Sequence, residues 1–380
     1  MKEIIGAKPF FGGKKEIDQI LKNIEQVLKS GKLSLGDYTA SFEEKMTKLV
    51  GSKYAVSVSS GGSALELTLQ SLNLNGREVI VPTDTFVATA NAVIKAGGIP
   101  VFADIKKENL CLDPKSVLQL ISDKTAGIIY VHMFGLIPKS FLKVREICQS
   151  NDLFLIEDSA HAHGSRLGQE NAGNLADAGC FSFYATKILT SGEGGAITTN
   201  NKNIYESLIS LRNHGRKHGS DLYDVVSNNY RMPEISCLLA FHQLEIIDGI
   251  IKSRREIASQ YSKELTDVDR LELLDEFYNN DDCSYWRYPI YIDQRLDRLE
   301  LQNRMMKNHK IRITWMYEPL CHMQPVFKEF ISSNYKLDKA EECIKRLVCL
   351  PCYPDLSKDD ISRVCSGIKD ELGKMKAKNL

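Results

Sequence analysis

The sequence lacks several features that would assign it to a specialised class of protein. Its 380 residues include 49 Lys and Arg and 49 Asp and Glu, so the formal net charge is zero. Without a basic excess to neutralise phosphates, the chain is not expected to be a dedicated nucleic-acid binder. Hydrophobic residues make up 43% and charged residues 26%, which is typical of a globular protein and excludes a disordered chain.

Long hydrophobic runs are also missing. The sequence contains no run of about 18 apolar residues, and the first eight residues lack the apolar stretch of a secretory signal. We therefore expect a cytoplasmic protein without a membrane span, in which the ten cysteines are reduced thiols. Cys349 and Cys352 have redox or zinc spacing, but no second pair accompanies them, and no metal site is predicted.

The first half of the sequence alternates short apolar runs with helix-like segments. Continuous apolar strands separated by helices indicate a largely parallel sheet covered on both faces. The last two runs are close in sequence, which allows an antiparallel strand there. The predicted strands are residues 54–58, 79–82, 100–104, 127–131, 153–156, 180–183 and 195–199.

The pattern changes after Met232. Residues 233–261 predict one long helix that bridges two domains, and 288–292 predict a strand among further helices. A chain of this length usually forms two domains. We expect a large domain over residues 1–245 and a smaller α+β domain over residues 246–380.

Three groups of residues follow predicted strands, where open α/β sheets bind ligands. Ser60-Gly61-Gly62-Ser63 opens a helix and is a candidate phosphate site, although such turns are often simple caps. Asp158 is a candidate metal ligand, base, partner of a heterocyclic N–H⁺ or helix cap. Lys187 lies before a glycine-rich turn, where burial would give the neutral amine needed for a Schiff base, although most lysines are solvated.

Together, a phosphate site, an acid and a lysine at strand ends match the requirements of pyridoxal 5′-phosphate. The acid would pair with the pyridinium nitrogen and the lysine would hold the cofactor covalently. Phe86, just beyond the strand at 79–82, is available as an aromatic cover for the ring.

The sequence resembles the DegT/DnrJ/EryC1/StrS family of sugar aminotransferases over nearly its whole length. The strongest block runs from Phe181 to Ile197 and contains Lys187. The resemblance implies an α/β fold of fold type I, with a large domain built on a mostly parallel central sheet and a smaller α+β domain. The matching blocks are residues 33–36, 60–65, 82–89, 131–135, 157–164, 181–197 and 229–234.

The resemblance implies a role for each matching residue at the cofactor. Lys187 would form the Schiff base and move the proton, Asp158 would keep the pyridine nitrogen protonated, and Phe86 would stack on the ring. His161, where the family often has Gln, would lie near the ring hydroxyl. The phosphate would be held by the backbone of Gly62 and Ser63 and the hydroxyl of Ser182, and by Asn229 of the neighbouring subunit in a homodimer with shared active sites.

The sugar end of the substrate is less well defined. Tyr184 lies three residues before Lys187 and, with Tyr317, is a candidate for binding sugar hydroxyls, the alternative being a tyrosine packed in the core. Two departures from the family concern this end: Met316 stands where His is frequent, and Cys321 is inserted before His322. A third, Gly62 in place of the common Thr, removes a side-chain contact near the phosphate.

The resemblance implies an aminotransferase that converts a keto sugar, usually nucleotide-linked in this family, to an amino sugar with glutamate as donor. A ketocyclitol substrate is one alternative. A sugar dehydratase of the same fold is a second, which Lys187 disfavours because such enzymes carry His there. A non-catalytic cofactor-binding regulator is a third.

Overall fold

A seven-stranded sheet forms the centre of the larger part of the molecule, which a computed structural model describes over residues 2–217, 219–331 and 336–377. The strands are β1 (Tyr54–Val58), β2 (Glu78–Pro82), β3 (Ile99–Ala103), β4 (Thr125–Val131), β5 (Phe154–Asp158), β6 (Arg166–Leu167), β7 (Glu170–Asn171), β8 (Ala178–Ser182), β9 (Gly195–Thr199), β10 (Leu271–Leu273), β11 (Tyr288–Ile292) and β12 (Leu347–Leu350).

Twelve α-helices are described. They are α1 (Lys14–Ser30), α2 (Asp37–Val50), α3 (Gly61–Gln70), α4 (Val87–Lys95), α5 (Pro114–Leu120), α6 (Ser140–Ser150), α7 (Lys202–Arg212), α8 (Glu234–Glu245), α9 (Ile247–Leu265), α10 (Arg298–Arg304), α11 (Asp338–Arg346) and α12 (Lys358–Lys374). None of these helices is both long and apolar enough to cross a bilayer.

The strand order of the large sheet is β1-β9-β8-β5-β4-β2-β3. β9 is antiparallel to both of its neighbours, and the other pairs are parallel. All seven predicted strands are confirmed to within two residues of their predicted bounds, and so is the antiparallel strand near the end of the series. The central strands β4 and β8 are buried along their whole length, because helices cover both faces.

The C-terminal part has its own antiparallel sheet, in the order β10-β11-β12. Cys349 lies in β12, Cys352 follows it, and both are buried without a disulfide, as are the other eight cysteines. This agrees with the expected reduced thiols and with a structural role for that cysteine pair.

The predicted long helix at 233–261 is wrong, because Ile246 separates α8 from α9. Ile246 has φ −110° and ψ 9°, outside the helical range. The buried residues of α9 begin with Ile247, Ile250, Ile251 and Arg254. Ile247 and Ile251, at the start of α9, lie against Gly164. The break falls at the predicted domain boundary, and the boundary itself stays a prediction.

The parallel arrangement determines where the site lies. The carboxyl ends of β2, β5 and β8 face one edge of the sheet, so the segments after Pro82, Asp158 and Ser182 converge there.

Candidate active site

A cavity of about 520 Å³ opens at this edge of the sheet. It is lined by all the predicted site residues except Ser63 and Asn229, namely Gly62, Phe86, Asp158, His161, Ser182, Tyr184, Lys187 and Tyr317. The side chain of Asn229 lies outside this cavity and accepts a hydrogen bond from the Arg231 backbone N–H at 3.1 Å. A single chain therefore brings all the residues predicted to contact the cofactor ring into one cavity. Asn229 does not line that cavity.

The start of α3 forms the candidate phosphate site. Gly61 and Gly62 make its first turn, where backbone N–H groups are not used by the helix. A Cβ on Gly61 would lie 2.7 Å from Cβ of Ser182, so only glycine allows this approach to β8. The predicted donor Ser63 is already engaged, since its N–H donates to the Ser60 side chain at 3.0 Å.

Asp158 ends β5 and is buried at the back of the cavity. Its Oδ2 accepts a hydrogen bond from the Thr89 hydroxyl at 2.9 Å, and its Oδ1 accepts one from the Ala160 N–H at 3.2 Å. Burial raises the pKa of this carboxyl, while the hydrogen bonds and the nearby Lys187 act in the opposite direction. A fixed, dry carboxylate of this kind favours a protonated heterocyclic nitrogen as its partner.

Lys187 follows β8, and its Nζ lies 4.3 Å from the ring centre of Trp286. Burial lowers the pKa of Lys187 to about 7, the charge of Asp158 opposes this shift, and that of Arg287 adds to it. A large fraction of this amine is therefore neutral at physiological pH, which a nucleophile and proton carrier requires.

His161 lies in a stack of rings beside the lysine. Its ring centre is 3.8 Å from that of Trp286, with 17° between the planes, and its Nε2 is 2.9 Å from the Tyr317 hydroxyl. Trp286 is held in turn by a hydrogen bond from its Nε1 to the Thr186 carbonyl at 2.7 Å. Burial, then the charges of Lys187 and Arg287, lower the pKa of His161, so its imidazole is neutral.

Two aromatic side chains form the rim of the cavity. Phe86 is 59% exposed and Tyr184 is 46% exposed. Large aromatic rings exposed at the mouth of a cavity are suited to stacking on a ligand or contacting one.

Several lining residues were not predicted as functional. Thr89 lies in the block 82–89, four residues after Thr85, and the two hydroxyls are 2.9 Å apart. That spacing was the only sequence feature that could have indicated a role for Thr89. Trp286 comes from the segment before β11, and no local pattern connects it with Lys187. Glu193 lines the cavity from the glycine-rich turn.

The donor set fits pyridoxal 5′-phosphate. A glycine cradle for a phosphate, a buried carboxylate and a lysine with a lowered pKa surround one cavity with an aromatic rim. Each group faces the cavity from a different segment, and together they match the phosphate, the pyridine nitrogen and the aldehyde of this cofactor.

Comparisons with known proteins agree with this fit. GDP-perosamine synthase of Vibrio cholerae is 32% identical over 340 residues, which cover 89% of this chain and 91% of that one. The structure of Helicobacter pylori PseC, an aminotransferase of pseudoaminic acid biosynthesis, matches with a TM-score of 0.90 and 27% identity, over 98% of this chain and 100% of PseC. Bacillus subtilis NtdA, solved with the cofactor PMP bound, matches with a TM-score of 0.88 and 26% identity, over 98% and 86% of the chains.

The family model of the DegT/DnrJ/EryC1/StrS aminotransferases matches residues 14–369. This match spans both the large sheet and the C-terminal sheet, so it includes every segment that lines the cavity. The chain therefore belongs to the DegT/DnrJ/EryC1/StrS aminotransferase family of enzymes that depend on pyridoxal 5′-phosphate.

Proposed function

We propose that this protein transfers the amino group of glutamate to a nucleotide-linked keto sugar and so forms an amino sugar. The observation that carries the proposal is the pairing of a largely neutral Lys187 with a buried Asp158 across one cavity. The relative from Vibrio cholerae is named for a GDP-linked sugar, which supports a nucleotide sugar as the acceptor class.

When bound, pyridoxal 5′-phosphate supplies the aldehyde that receives the amino group and a ring that stabilises negative charge at the reacting carbon. Asp158, held by Thr89 and Ala160, keeps a proton on the facing ring nitrogen by its charge. Lys187 Nζ would carry a proton between the substrate carbon and the cofactor carbon that bears the transferred nitrogen, because a pKa of about 7 lets the amine both accept and release a proton near neutral pH. The same Nζ is the attachment point of the cofactor between turnovers.

The remaining residues of the cavity bind and orient. The first-turn N–H groups of Gly61 and Gly62 and the Ser182 hydroxyl would hold the phosphate at the start of α3. Phe86 at the rim would cover the ring and exclude water from one face. Tyr184, exposed at the mouth, is positioned for a sugar hydroxyl.

We also propose that the working unit is a homodimer with shared active sites. Asn229 lies outside the cavity of its own chain, as expected if it completes the phosphate site of a neighbour. The segment before it exposes a group of large apolar side chains, with Val226 fully exposed, and burial against a second copy would remove them from water. The exposed apolar side chains of this segment are Leu222, Tyr223, Val225 and Val226.

The function is tested by a single-turnover substrate screen. Protein carrying the aminated cofactor is mixed with 3-keto and 4-keto nucleotide sugars and with a ketoinositol, and the return of the aldehyde form is followed by its visible absorbance. We expect a rapid return with at least one nucleotide sugar. If the aldehyde form returned only with the ketoinositol, the acceptor would be a cyclitol and not a nucleotide sugar. No return with any acceptor, although glutamate loads the cofactor, would reject the acceptor class.

A further inference from the structure

Four arginines are buried in the described part of the chain: Arg212, Arg254, Arg287 and Arg298. Three of them have strong acceptors. Arg212 pairs with the carboxylate of Glu43, Arg254 donates to the carbonyls of Cys352 and Tyr285, and Arg298 pairs with Glu318 and donates to the Ile344 carbonyl.

Arg287 is different from the other three. It is only 6% exposed, and within the described part of the chain its one hydrogen bond runs from Nη1 to the carbonyl of its neighbour Trp286 at 3.5 Å. Its Nε has no partner, and no carboxylate of the described residues pairs with it. Burial lowers its pKa to about 10, so the guanidinium still carries its charge at neutral pH. A buried charge without a counter-ion is costly, and the site therefore favours an incoming anion.

The position of Arg287 indicates which anion. Its guanidinium carbon lies 4.7 Å from the ring centre of Trp286, the same indole that has Lys187 Nζ at 4.3 Å. The charge of Arg287 contributes to the lowered pKa values of both Lys187 and His161. The unpaired guanidinium therefore lies against Trp286, which lines the cavity beside the reacting lysine.

Only one of the two proposed substrates has an anion next to its reacting group. In an α-amino acid, the carboxylate is attached to the carbon that carries the amino nitrogen. In a 3-keto or 4-keto nucleotide sugar, the diphosphate is attached at C1, which is not adjacent to the keto carbon. We propose that Arg287 binds the α-carboxylate of the amino donor, an inference that rests on the proposed function and specifies how its donor is recognised.

The chemistry of the two groups is complementary. A guanidinium presents two parallel N–H donors that match the two oxygens of a carboxylate, and this charge-assisted pair is among the strongest hydrogen-bonded contacts in proteins. Arg287 contacts Trp286, which lines the cavity, but does not line the cavity itself, so its side chain would have to rotate to reach the carboxylate. The ligand would supply the counter-ion that the chain lacks.

The decisive experiment compares glutamate with its α-amide, isoglutamine, in the donor half-reaction. This amide has the same reacting nitrogen without the carboxylate charge. We expect the wild type to prefer glutamate by about 10- to 100-fold in apparent second-order rate constant, and Arg287→Met to lose most of that preference. If Arg287 acted only through the pKa of Lys187, the variant would slow both donors equally and keep the preference, which would overturn the proposal.

A further variant separates the charge of Arg287 from its paired N–H donors. Arg287→Lys keeps the charge without the paired donors, so we expect an intermediate preference, and this variant serves if Arg287→Met does not fold. Lys45→Met is the matched control, since Lys45 also lies over an aromatic ring, 4.0 Å from Phe241, away from the cavity. It should keep the wild-type preference.

Binding of glutarate, which has carboxylates but no amine, is measured by the fluorescence of the two tryptophans, Trp286 and Trp315. Arg287→Met should weaken it at least about tenfold, as expected for losing a charge-assisted pair. Unchanged glutarate binding would contradict the proposal. The donor half-reaction needs no sugar, so the role of Arg287 can fail or succeed independently of the acceptor screen.

Discussion

The hydroxyl of Tyr317 lies 2.9 Å from Nε2 of His161, although 156 residues separate them in the sequence. Burial raises the pKa of Tyr317 and lowers that of His161, so both groups are neutral at physiological pH. The contact links the C-terminal part of the chain to the end of β5 directly at the cofactor site. It also occupies the tyrosine hydroxyl that the sequence had suggested for sugar binding.

The two predicted sugar-binding tyrosines should therefore behave differently when altered. Tyr184→Phe removes a hydroxyl at the open rim, and we expect a KM for the keto sugar raised by roughly five- to tenfold, as for the loss of one hydrogen bond of about 1 kcal/mol. Its glutamate half-reaction should change little. Tyr317→Phe releases His161, so both half-reactions should slow. Single-turnover kinetics of each half-reaction measure both effects. If Tyr317→Phe slowed only the sugar half-reaction, the Tyr317 hydroxyl would bind the sugar.

Lys187→Ala should abolish catalysis while the fold is retained. The variant loses both the attachment point of the cofactor and the proton carrier, so turnover should fall by several orders of magnitude. Circular dichroism checks the fold, and the visible spectrum checks the lost covalent attachment. Added methylamine should restore a small part of the rate, because it replaces the amine alone. Normal turnover without any added amine would refute the assignment.

The rate of the sugar half-reaction should depend on pH through Lys187. The pKa of this amine is lowered to about 7, so its neutral fraction increases as the pH rises through 7 and then levels off. The single-turnover rate should follow the same curve when the amine acts as base. Arg287→Met should move the midpoint upward, because removing a nearby positive charge favours the protonated lysine.

Asp158→Asn tests the buried carboxylate. The amide keeps the shape of the side chain and still accepts a hydrogen bond from Thr89, so we expect the fold to be retained. The negative charge opposite the ring nitrogen is lost, and the rate should fall by about a hundredfold or more, as for other groups that stabilise charge in a dry site. Unchanged activity, with a cofactor spectrum that does not vary with pH, would leave Asp158 with only its structural hydrogen bonds from Thr89 and Ala160.

Asp84 predicts a pH dependence of stability that is independent of catalysis. It is 2% exposed, its Oδ1 has no partner among the described residues, and burial raises its pKa to about 8. Since this folded-state pKa lies above that of an unfolded carboxyl, near 4, stability should fall as the pH rises from about 4 to 8 and not further. Tyr317, Tyr291, Cys321, Cys343 and Cys349 surround it, and none supplies a positive charge.

Asp84→Asn should remove this dependence. Between pH 5 and pH 7 the wild type should lose up to about 1.4 kcal/mol of unfolding free energy per pH unit relative to the variant, which is the effect of one proton. Urea unfolding at several pH values measures the difference. Asp269→Asn, at a side chain that is 94% exposed, is the control and should follow the wild-type curve. Parallel curves for wild type and Asp84→Asn would show that Asp84 ionises normally.

The proposed dimer can be tested by complementation. Lys187→Ala and Asn229→Ala are each expected to be inactive or weak. In a hybrid with shared sites, one site carries both changes and the other carries neither. After subunit exchange in an equal mixture, half the dimers are hybrids, so activity should recover to about a quarter of the wild-type value. No recovery, or an active monomer in sedimentation, would contradict shared sites.

Much of the fold and part of the site could be predicted because they depend on local sequence patterns. Apolar runs of five residues between helices predicted the strands, since burial on both faces selects such runs in a parallel sheet. The segments containing Gly62, Asp158 and Lys187 follow those strands, and parallel strands bring their carboxyl ends to one edge. The sequence alone therefore determined the sheet, the edge at which the cavity lies and most of the predicted site residues that line it.

Other features were decided only by contacts between distant segments. The break at Ile246 could not be predicted, because the apolar residues of 233–261 continue the helical spacing across it. Trp286 lines the cavity because the segment before β11 packs against His161. The hydroxyl of Tyr317 contacts the same histidine. The burial of Arg287 without a counter-ion is likewise a property of the folded interior, because the cost of an unpaired charge depends on the groups that surround it and not on its place in the chain.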